Sequence, residues 1–212
     1  MPREIVGIIL AGGQSRRMGT DKAFLEIGGI PLIQRVLDVL LPIFPTVAIV
    51  AKDLEKFRHL KEVQLAQDLF TEQHALGGIY TALSTFGGKN CFVFSCDLPF
   101  LNAELIQAMI ERQDGHDLFI PKSRRGLEPL HTLYTQRCLG TIERRILWRQ
   151  WSLGGLVQRL NASILLPGQL HLFDPRELSF LNVNTPDGFQ QAQGIVESRI
   201  VHSHEKTTPP CL

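Results

Sequence analysis

Short apolar runs alternate with segments of helical period along most of this chain. Residues 5–10 form an apolar, largely β-branched run that ends before two glycines, which is typical of a buried strand followed by a turn. After Pro31, a favoured first helical residue, apolar side chains recur at spacings of three and four as far as residue 40. Further apolar runs predict buried strands at 46–51, 63–67, 91–95, 117–121, 131–135 and 162–166.

The intervals between most of these strands have the pattern of helices. They are predicted at 54–60, 78–86, 102–112 with Asn102 as the cap, 137–150, 153–160 and after Pro186. Strands that alternate with helices predict an α/β fold, Rossmann-like and doubly wound, with a mainly parallel sheet in a three-layer α/β/α arrangement. Ligands of such sheets bind beyond the carboxyl ends of the strands, so the residues that follow strands are the first functional candidates.

Length and composition limit the other possibilities. The 212 residues fit one domain, predicted to span 1–200, and the polar segment 201–212 is predicted to be a disordered C-terminal tail. Lys and Arg number 22 against 21 Asp and Glu, a balance that argues against a nucleic-acid partner. Prolines interrupt the longest apolar stretch, and the four cysteines form no CxxC pair. We therefore expect a soluble cytoplasmic protein with reduced thiols and no membrane association.

The loop after the first predicted strand combines small residues with cations. It reads Leu-Ala-Gly-Gly-Gln-Ser-Arg-Arg-Met-Gly-Thr-Asp-Lys over residues 10–22. Small residues let backbone N–H groups approach phosphate oxygens, and Arg and Lys neutralise them. The string is neither GxGxxG nor a Walker A loop. The alternative is a glycine turn with solvated arginines, which would explain any one of these residues but not the whole string.

This string resembles the LxGGxSxRMGxxK signature of nucleotidyltransferases with a doubly wound sheet, and the LAGG form is most similar to molybdenum cofactor guanylyltransferases. The resemblance implies that the first segment contacts the nucleotide, that the arginines lie near the leaving phosphates, and that the lysine contacts the α-phosphate. The matching residues are Leu10, Ala11, Gly12, Gly13, Arg16, Arg17 and Lys22.

Asp97 directly follows the predicted strand at 91–95, within the sequence Ser-Cys-Asp-Leu-Pro. An unpaired carboxylate at the ligand edge of a sheet is costly, and Mg²⁺ bridging it to phosphates would remove that cost. The alternative is a carboxylate that caps the next loop. The resemblance continues here, because the family carries its metal-binding aspartate in this element.

Two more elements match the family in the right order. Asp68 closes the strand at 63–67, where the family has an aspartate that contacts guanosine, and the glycines at 77 and 78 follow. Residues 180–186 contain the Asn-Val-Asn-Thr-Pro element, in which Asn182 and Asn184 should point to the same side of an extended segment. The resemblance implies a role near metal or pterin phosphate, with Asn184 as the better metal ligand. An ordinary start of a helix remains the alternative for each element.

The segment 128–134 resembles a family segment near the pterin, so His131 is a candidate pterin contact or a structural histidine. The basic cluster at 122–125 could hold an anionic substrate or be a solvated loop. One position departs from the family: Val50 stands where an asparagine commonly contacts the base. This departure leaves guanine selection less firmly predicted than nucleotidyl transfer.

The resemblance implies a Mg²⁺-dependent enzyme that transfers GMP from GTP to the terminal phosphate of molybdenum-molybdopterin. It would be a monomer whose partners include the enzymes that load molybdopterin and those that accept the product. The predicted catalytic residues are Lys22, Asp97, Arg16 and Arg17. Alternatives are a related enzyme that uses CTP or a sugar phosphate acceptor, and a nucleotide-binding domain without catalysis.

Overall fold

The computed structural model describes residues 4–12, 22–70, 74–112 and 115–205. In these ranges the strands are β1 (Ile5–Leu10), β2 (Glu26–Ile27), β3 (Ile30–Pro31), β4 (Val47–Ala51), β5 (Gln64–Gln67), β6 (Asn90–Ser95), β7 (Leu118–Ser123), β8 (Gly126–Leu127), β9 (His131–Tyr134) and β10 (Ala162–Leu165). The α-helices are α1 (Leu32–Leu40), α2 (Ala75–Thr85), α3 (Ala103–Glu111), α4 (Leu139–Leu147), α5 (Leu153–Val157), α6 (Pro167–Leu170) and α7 (Pro186–Glu205).

The main sheet has the strand order β10-β7-β9-β6-β1-β4-β5, with β8 paired to β7 as a hairpin. β1 lies at its centre and pairs in parallel with β4 and β6, and the pairs β4–β5 and β7–β10 are also parallel. β9 runs antiparallel to both of its neighbours, β6 and β7. The predicted α/β fold with a mainly parallel sheet is therefore confirmed, and β9 is its reversed strand.

Side-chain alternation along the central strands fills two cores, one on each face of the sheet. Ile9 and Phe94 point to the face covered by α1 and α3. Ile8 and Val93 point to the opposite face, which α2, α4 and α5 cover. Because strands of this type are buried on both faces, they appear in the sequence as continuous apolar runs. The two covered faces give the predicted three layers.

A third apolar cluster positions the C-terminal part of the chain. The hairpin of β2 and β3 packs with α7, and Leu181 and Val183 lie buried between them. The Val183 N–H donates a hydrogen bond of 3.1 Å to the Asp97 carbonyl oxygen. The segment before α7 is thereby fixed beside the end of β6.

In the first half of the chain, two features differ from the expectations. The helix expected at 54–60 is a single 3-10 turn, Glu55–Phe57, because so short a segment with one buried side chain gives little return for nucleating a helix. The β2–β3 hairpin was not expected, although Gly28 and Gly29 both adopt positive φ, as a two-residue hairpin turn requires. α7 continues to Glu205, and the residues after it lie outside the described ranges. Among the described residues, no helix combines the length and apolarity needed to cross a bilayer.

Candidate functional site

The carboxyl ends of β1, β4, β5 and β6 meet at one edge of the sheet, and backbone hydrogen bonds hold the residues that follow them. The Ala11 N–H donates to the Val50 carbonyl at 3.0 Å, and the Cys96 N–H donates to the Leu10 carbonyl at 3.2 Å. The Asp68 N–H donates to the Ala51 carbonyl at 2.9 Å. This edge is where a parallel sheet places its ligands.

The Asp68 carboxylate has a fixed orientation at this edge. Its Oδ1 accepts hydrogen bonds from the Phe70 N–H at 3.2 Å and from the Thr81 hydroxyl at 3.1 Å. Its Oδ2 faces Gly12, where an added Cβ would lie 3.9 Å from that oxygen. The two Oδ1 bonds position the carboxylate, and Oδ2 is the oxygen directed towards the end of β1.

Gly77 and Gly78, at the start of α2, serve close packing. A Cβ at Gly77 would lie 3.0 Å from the Phe70 ring, and one at Gly78 would lie 3.0 Å from a methyl of Leu10. Such distances are shorter than ordinary van der Waals contacts. The paired glycines therefore let α2 approach the end of β1, which is a structural reason for these residues.

Asp97, Lys22 and Asn184 lie around the end of β6. Asp97 is 8% exposed, and its carboxylate makes no hydrogen bond or ion pair with any described residue. Lys22, in the 3-10 turn Lys22–Phe24, donates from Nζ to Oδ1 of Asn184. Asn182 and Asn184 flank the buried Val183 and line the same cavity as Asp97. The alternation expected for these two asparagines is confirmed.

This cavity, which we call the acceptor cavity, has a volume of about 160 Å³. Its walls come from four separate parts of the chain. They are formed by Ser95, Asp97, Leu98, Glu128, Pro129, Leu130, His131, Leu153, Phe180, Asn182 and Asn184.

His131 borders the acceptor cavity in an apolar setting. Its ring meets Phe92, Phe94 and Phe180 edge-to-face, with centroid distances of 5.7, 5.1 and 5.2 Å. Both ring nitrogens are buried and have no hydrogen-bond partner among the described residues. Desolvation by burial lowers the pKa of His131 to about 3, so the imidazole is neutral at physiological pH. A buried polar group without a partner is costly, which indicates a role beyond packing.

Glu128 provides the acidic group of the same wall. Its Oε1 accepts a hydrogen bond of 2.5 Å from the Ser123 hydroxyl. Burial raises the pKa of the Glu128 carboxyl, while the Ser123 hydrogen bond and the charge of Arg125 oppose this rise.

The structure brings together most of the residues predicted from the sequence. Leu10, Ala11, Gly12, Lys22, Asp68, Asp97, Asn182 and Asn184 lie at this edge of the sheet, whereas Gly13, Arg16 and Arg17 lie outside the described residues. Val50 is 2% exposed and lies inside the core, so its side chain does not face a ligand. Leu153 and Phe180 were missed as cavity residues, and no local sequence signal marks them because only the fold brings them to Asp97.

Comparisons with known proteins agree with the fold described above. The sequence model of one family, described as the MobA-like NTP transferase domain, matches residues 7–160. The chain is 33% identical over 196 residues to the molybdenum cofactor guanylyltransferase of Desulfosudis oleivorans, covering 92% of this chain and 96% of that protein.

Two solved structures extend the comparison. Molybdopterin-guanine dinucleotide biosynthesis protein A from Archaeoglobus fulgidus superposes with a TM-score of 0.81 at 30% identity, covering 91% of this chain and 99% of that one. The 4-diphosphocytidyl-2C-methyl-D-erythritol synthase from Anaerococcus prevotii superposes with a TM-score of 0.67 at 14% identity, covering 92% of this chain and 96% of that one. The second likeness shows a shared fold only.

Proposed function

Because this chain belongs to the family of MobA-like NTP transferases, we propose that it transfers GMP from GTP to the terminal phosphate of the molybdenum-molybdopterin cofactor. The single observation that supports this most strongly is the grouping of Lys22, Asp97 and Asn184 beside the acceptor cavity. These residues combine a cation and oxygen donors at the edge of the sheet where nucleotides bind.

The reaction is a displacement at phosphorus. An oxygen of the acceptor's terminal phosphate attacks the α-phosphorus of GTP and forms a new P–O bond. The bond from the α-phosphorus to the oxygen bridging to the β-phosphate breaks, and pyrophosphate leaves with that electron pair. Because the attacking oxygen is already anionic near neutral pH, no protein nucleophile or general base is required. The protein accelerates the reaction by positioning the two substrates and neutralising charge.

Lys22 is the proposed catalytic cation. Its ammonium group is a compact point charge, and the hydrogen bond to Asn184 directs it towards the cavity that Asp97 lines. There it would stabilise negative charge that develops on the α-phosphate oxygens during displacement. We assign Arg16 and Arg17, from the loop before Lys22, to the leaving pyrophosphate.

The donor set fits a magnesium ion. The Asp97 carboxylate is buried without a partner among the described residues, and Asn184 supplies an amide oxygen that Lys22 also contacts. Within the described ranges no three His, Cys, Asp or Glu side chains cluster to form a complete metal cage. Mg²⁺ typically uses one or two carboxylates together with substrate phosphates and water, so Asp97 and Asn184 would suffice to hold it. When bound, it would neutralise charge on the phosphates of GTP.

The remaining residues divide between the two substrates. Backbone N–H groups of residues 10–13 would approach the nucleotide, and the Asp68 carboxylate would contact the guanosine. Asn182 would contact the acceptor in its cavity, and the buried His131 would shape the wall of that cavity. We further propose that the enzyme works as a cytoplasmic monomer, and that it receives its acceptor from, and passes its product to, other enzymes of the cofactor's route.

The direct test is pyrophosphate release, measured with molybdenum-loaded molybdopterin, Mg²⁺ and each of GTP, ATP, CTP and UTP. We expect release with GTP only when the acceptor is present, and GTP should be preferred over ATP in direct competition. Equal use of both purine nucleotides would refute guanine selectivity. Preference for CTP, or turnover only with a sugar phosphate acceptor, would support the related transferases. Nucleotide binding without any release would indicate a domain that lacks catalysis.

A further inference from the structure

A second cavity, of about 220 Å³, lies behind the acceptor cavity and is rich in arginine. We call it the arginine cavity. It is formed between the β7–β8 hairpin and the segment before α7, and its lining includes Ser123, Arg124, Arg125, Arg176, Glu177 and Gln191. In the proposed function the nucleotide and the reacting phosphate would lie at Lys22 and Asp97, neither of which lines this cavity.

The charges around the arginine cavity do not balance. Three arginines and one acidic residue, Glu177, line it. The backbone N–H of Arg124 donates a hydrogen bond of 3.0 Å to Oε2 of Glu177, and the Nε of Arg124 lies 3.7 Å from Oε1 of Glu177. The positive charge of Arg125 opposes the rise that burial causes in the pKa of Glu128, which lines the acceptor cavity. Arg176 forms no ion pair with any described residue. The cavity therefore keeps an excess of positive charge, which favours an anionic ligand.

Both walls of the arginine cavity are held rigidly. The Ser123 hydroxyl accepts a hydrogen bond of 3.0 Å from the Arg125 N–H, and Gly126 adopts φ +124°, a conformation that L side chains rarely adopt. Opposite them, Glu177 has φ +53°, and the buried Asp174 holds this turn by accepting N–H bonds from Leu178 and Ser179. A non-glycine residue held in the left-handed region is strained, and such strain is often found at functional sites.

The arginine cavity adjoins the acceptor cavity. Phe180 lines both of them, and the Ser123–Glu128 hydrogen bond joins a residue of one lining to a residue of the other. A long acceptor whose phosphate lies at Asp97 would therefore direct its far end towards the arginines. In the proposed acceptor that far end is a dithiolene holding oxo-molybdenum, which is anionic.

We propose that the arginine cavity, through Arg125 and Arg176, binds the anionic oxo-metal end of the acceptor. This inference rests on the proposed function for the identity of the acceptor. It adds a specific consequence, because the enzyme would distinguish the metal-loaded acceptor from the metal-free one. The metal-free form lacks the anionic oxo-metal group at that end.

The test compares two acceptors, molybdopterin with and without molybdenum, under anaerobic conditions at pH 7. The double variant Arg125→Gln and Arg176→Gln is compared with the wild type and with the control Arg58→Gln, which removes an exposed arginine from the surface turn at 55–58. Equilibrium binding of each acceptor is followed by its intrinsic fluorescence without GTP, and kcat/KM is measured with GTP. Circular dichroism and thermal unfolding verify that each variant is folded.

We expect the double variant to lose about tenfold or more in binding and in kcat/KM for the metal-loaded acceptor, the scale of one lost charge-assisted contact. For the metal-free acceptor, and for Arg58→Gln, both quantities should stay within about twofold of the wild type. Equal losses on both acceptors, or no loss on either, would overturn the inference. So would a defect confined to delivery to a recipient protein, which would assign the arginines to an acidic docking partner.

Failure of the proposed function can be distinguished from failure of this inference. Absence of guanylyl transfer by the wild-type protein would refute the function. The binding measurements would still report whether these arginines recognise the metal-loaded end.

Discussion

The two sides of the proposed site are built in different ways. The nucleotide side, residues 10–12, Lys22 and Asp68, lies at the ends of β1 and β5, and most of it directly follows a strand. The acceptor side, which comprises the acceptor cavity and the arginine cavity, combines the end of β6 with the start of β9, α5 and the segment before α7. Strand ends within the first 68 residues therefore form the first side, whereas the second joins segments between residues 95 and 191.

This difference has an energetic counterpart. The nucleotide side positions backbone groups and charges that the fold can support at little cost, such as the Asp68 carboxylate with its two hydrogen bonds. The acceptor side contains a buried imidazole without a partner among the described residues and a strained Glu177. We therefore expect substitutions on the acceptor side to change stability and activity in different directions. Substitutions on the nucleotide side should affect the chemical step.

Asp97 lines the acceptor cavity and is the proposed metal ligand, so its removal should have the largest effect. We expect Asp97→Ala to lower the single-turnover rate of GMP transfer by at least about 10³-fold, because metal-mediated charge stabilisation contributes several kcal/mol. The fold should persist, since Val183 bonds the Asp97 backbone and not its side chain. Asp53→Ala, at an exposed surface ion pair, is the matched control. Near-normal transfer by a folded Asp97→Ala protein would contradict the assignment.

A Lys22 variant distinguishes a role in the chemical step from a role in nucleotide binding. We expect Lys22→Ala to lower kcat by roughly 10²–10³, the scale of losing one preorganised electrostatic group. The affinity for GTP should fall much less, because only interactions stronger in the transition state accelerate the chemical step. Single-turnover rates and equilibrium GTP binding are measured on one preparation, with Lys56→Ala as control. A collapse of affinity with an unchanged rate at saturation would make Lys22 a binding residue only.

His131 tests the acceptor side through pH. The pKa of His131 is about 3 in the folded protein and about 6.5 when unfolded, so the unfolded state binds more protons between these values. The contribution of His131 to stability is therefore lost as pH falls below about 6.5. As pH falls from 6 to 4, the free energy of unfolding of His131→Phe should rise relative to that of the wild type by up to about 1.4 kcal/mol per pH unit.

His131→Phe should be less active with the acceptor although it is more stable at acidic pH. We expect a raised KM for the acceptor at pH 7 with unchanged GTP binding, and His131→Gln should partly restore the acceptor KM. Urea unfolding from pH 7 to 4 gives the stability difference. A difference that does not vary with pH would show that the imidazole is protonated or hydrogen-bonded in the folded state.

We expect the smallest effect at Gly78, which packs against Leu10 on the nucleotide side. In Gly78→Ala the new Cβ must displace Leu10, a cost of about 1–3 kcal/mol that the better helix propensity of alanine partly offsets. We expect a KM for GTP raised a few-fold and an unchanged acceptor KM. Gly140→Ala in α4 meets open space and should stabilise the protein by about 0.5–1 kcal/mol. Identical melting shifts for both variants would contradict the packing role of Gly78.

Local signals were enough to predict the frame of the fold and the strand ends that carry the proposed site. The small residues after β1, a carboxylate after β6 and the alternating pair Asn182 and Asn184 are all patterns within a few residues. They could be predicted because strands, their ends and the two-residue period are set by neighbouring residues.

The rest depends on contacts that no short segment contains. The complete burial of His131 results from aromatic rings on β6 and at Phe180, and the arginine cavity forms because Arg176 meets the β7–β8 hairpin. Val50 shows a further limit. The sequence raised the question of a missing base contact there, but the position is internal to the sheet, so the base must be recognised elsewhere.

The reversed direction of β9 has a consequence for how such an enzyme could be re-engineered. Since β9 is antiparallel, its first residue, His131, lies beside Phe94 near the ligand edge, and the loop that precedes it faces the cavity. Residues 128–130 thus form a short segment, bounded by β8 and β9, that lines the cavity without belonging to the central parallel strands. Grafting a different loop there would be a direct route to new acceptor specificity on an unchanged GTP-binding frame.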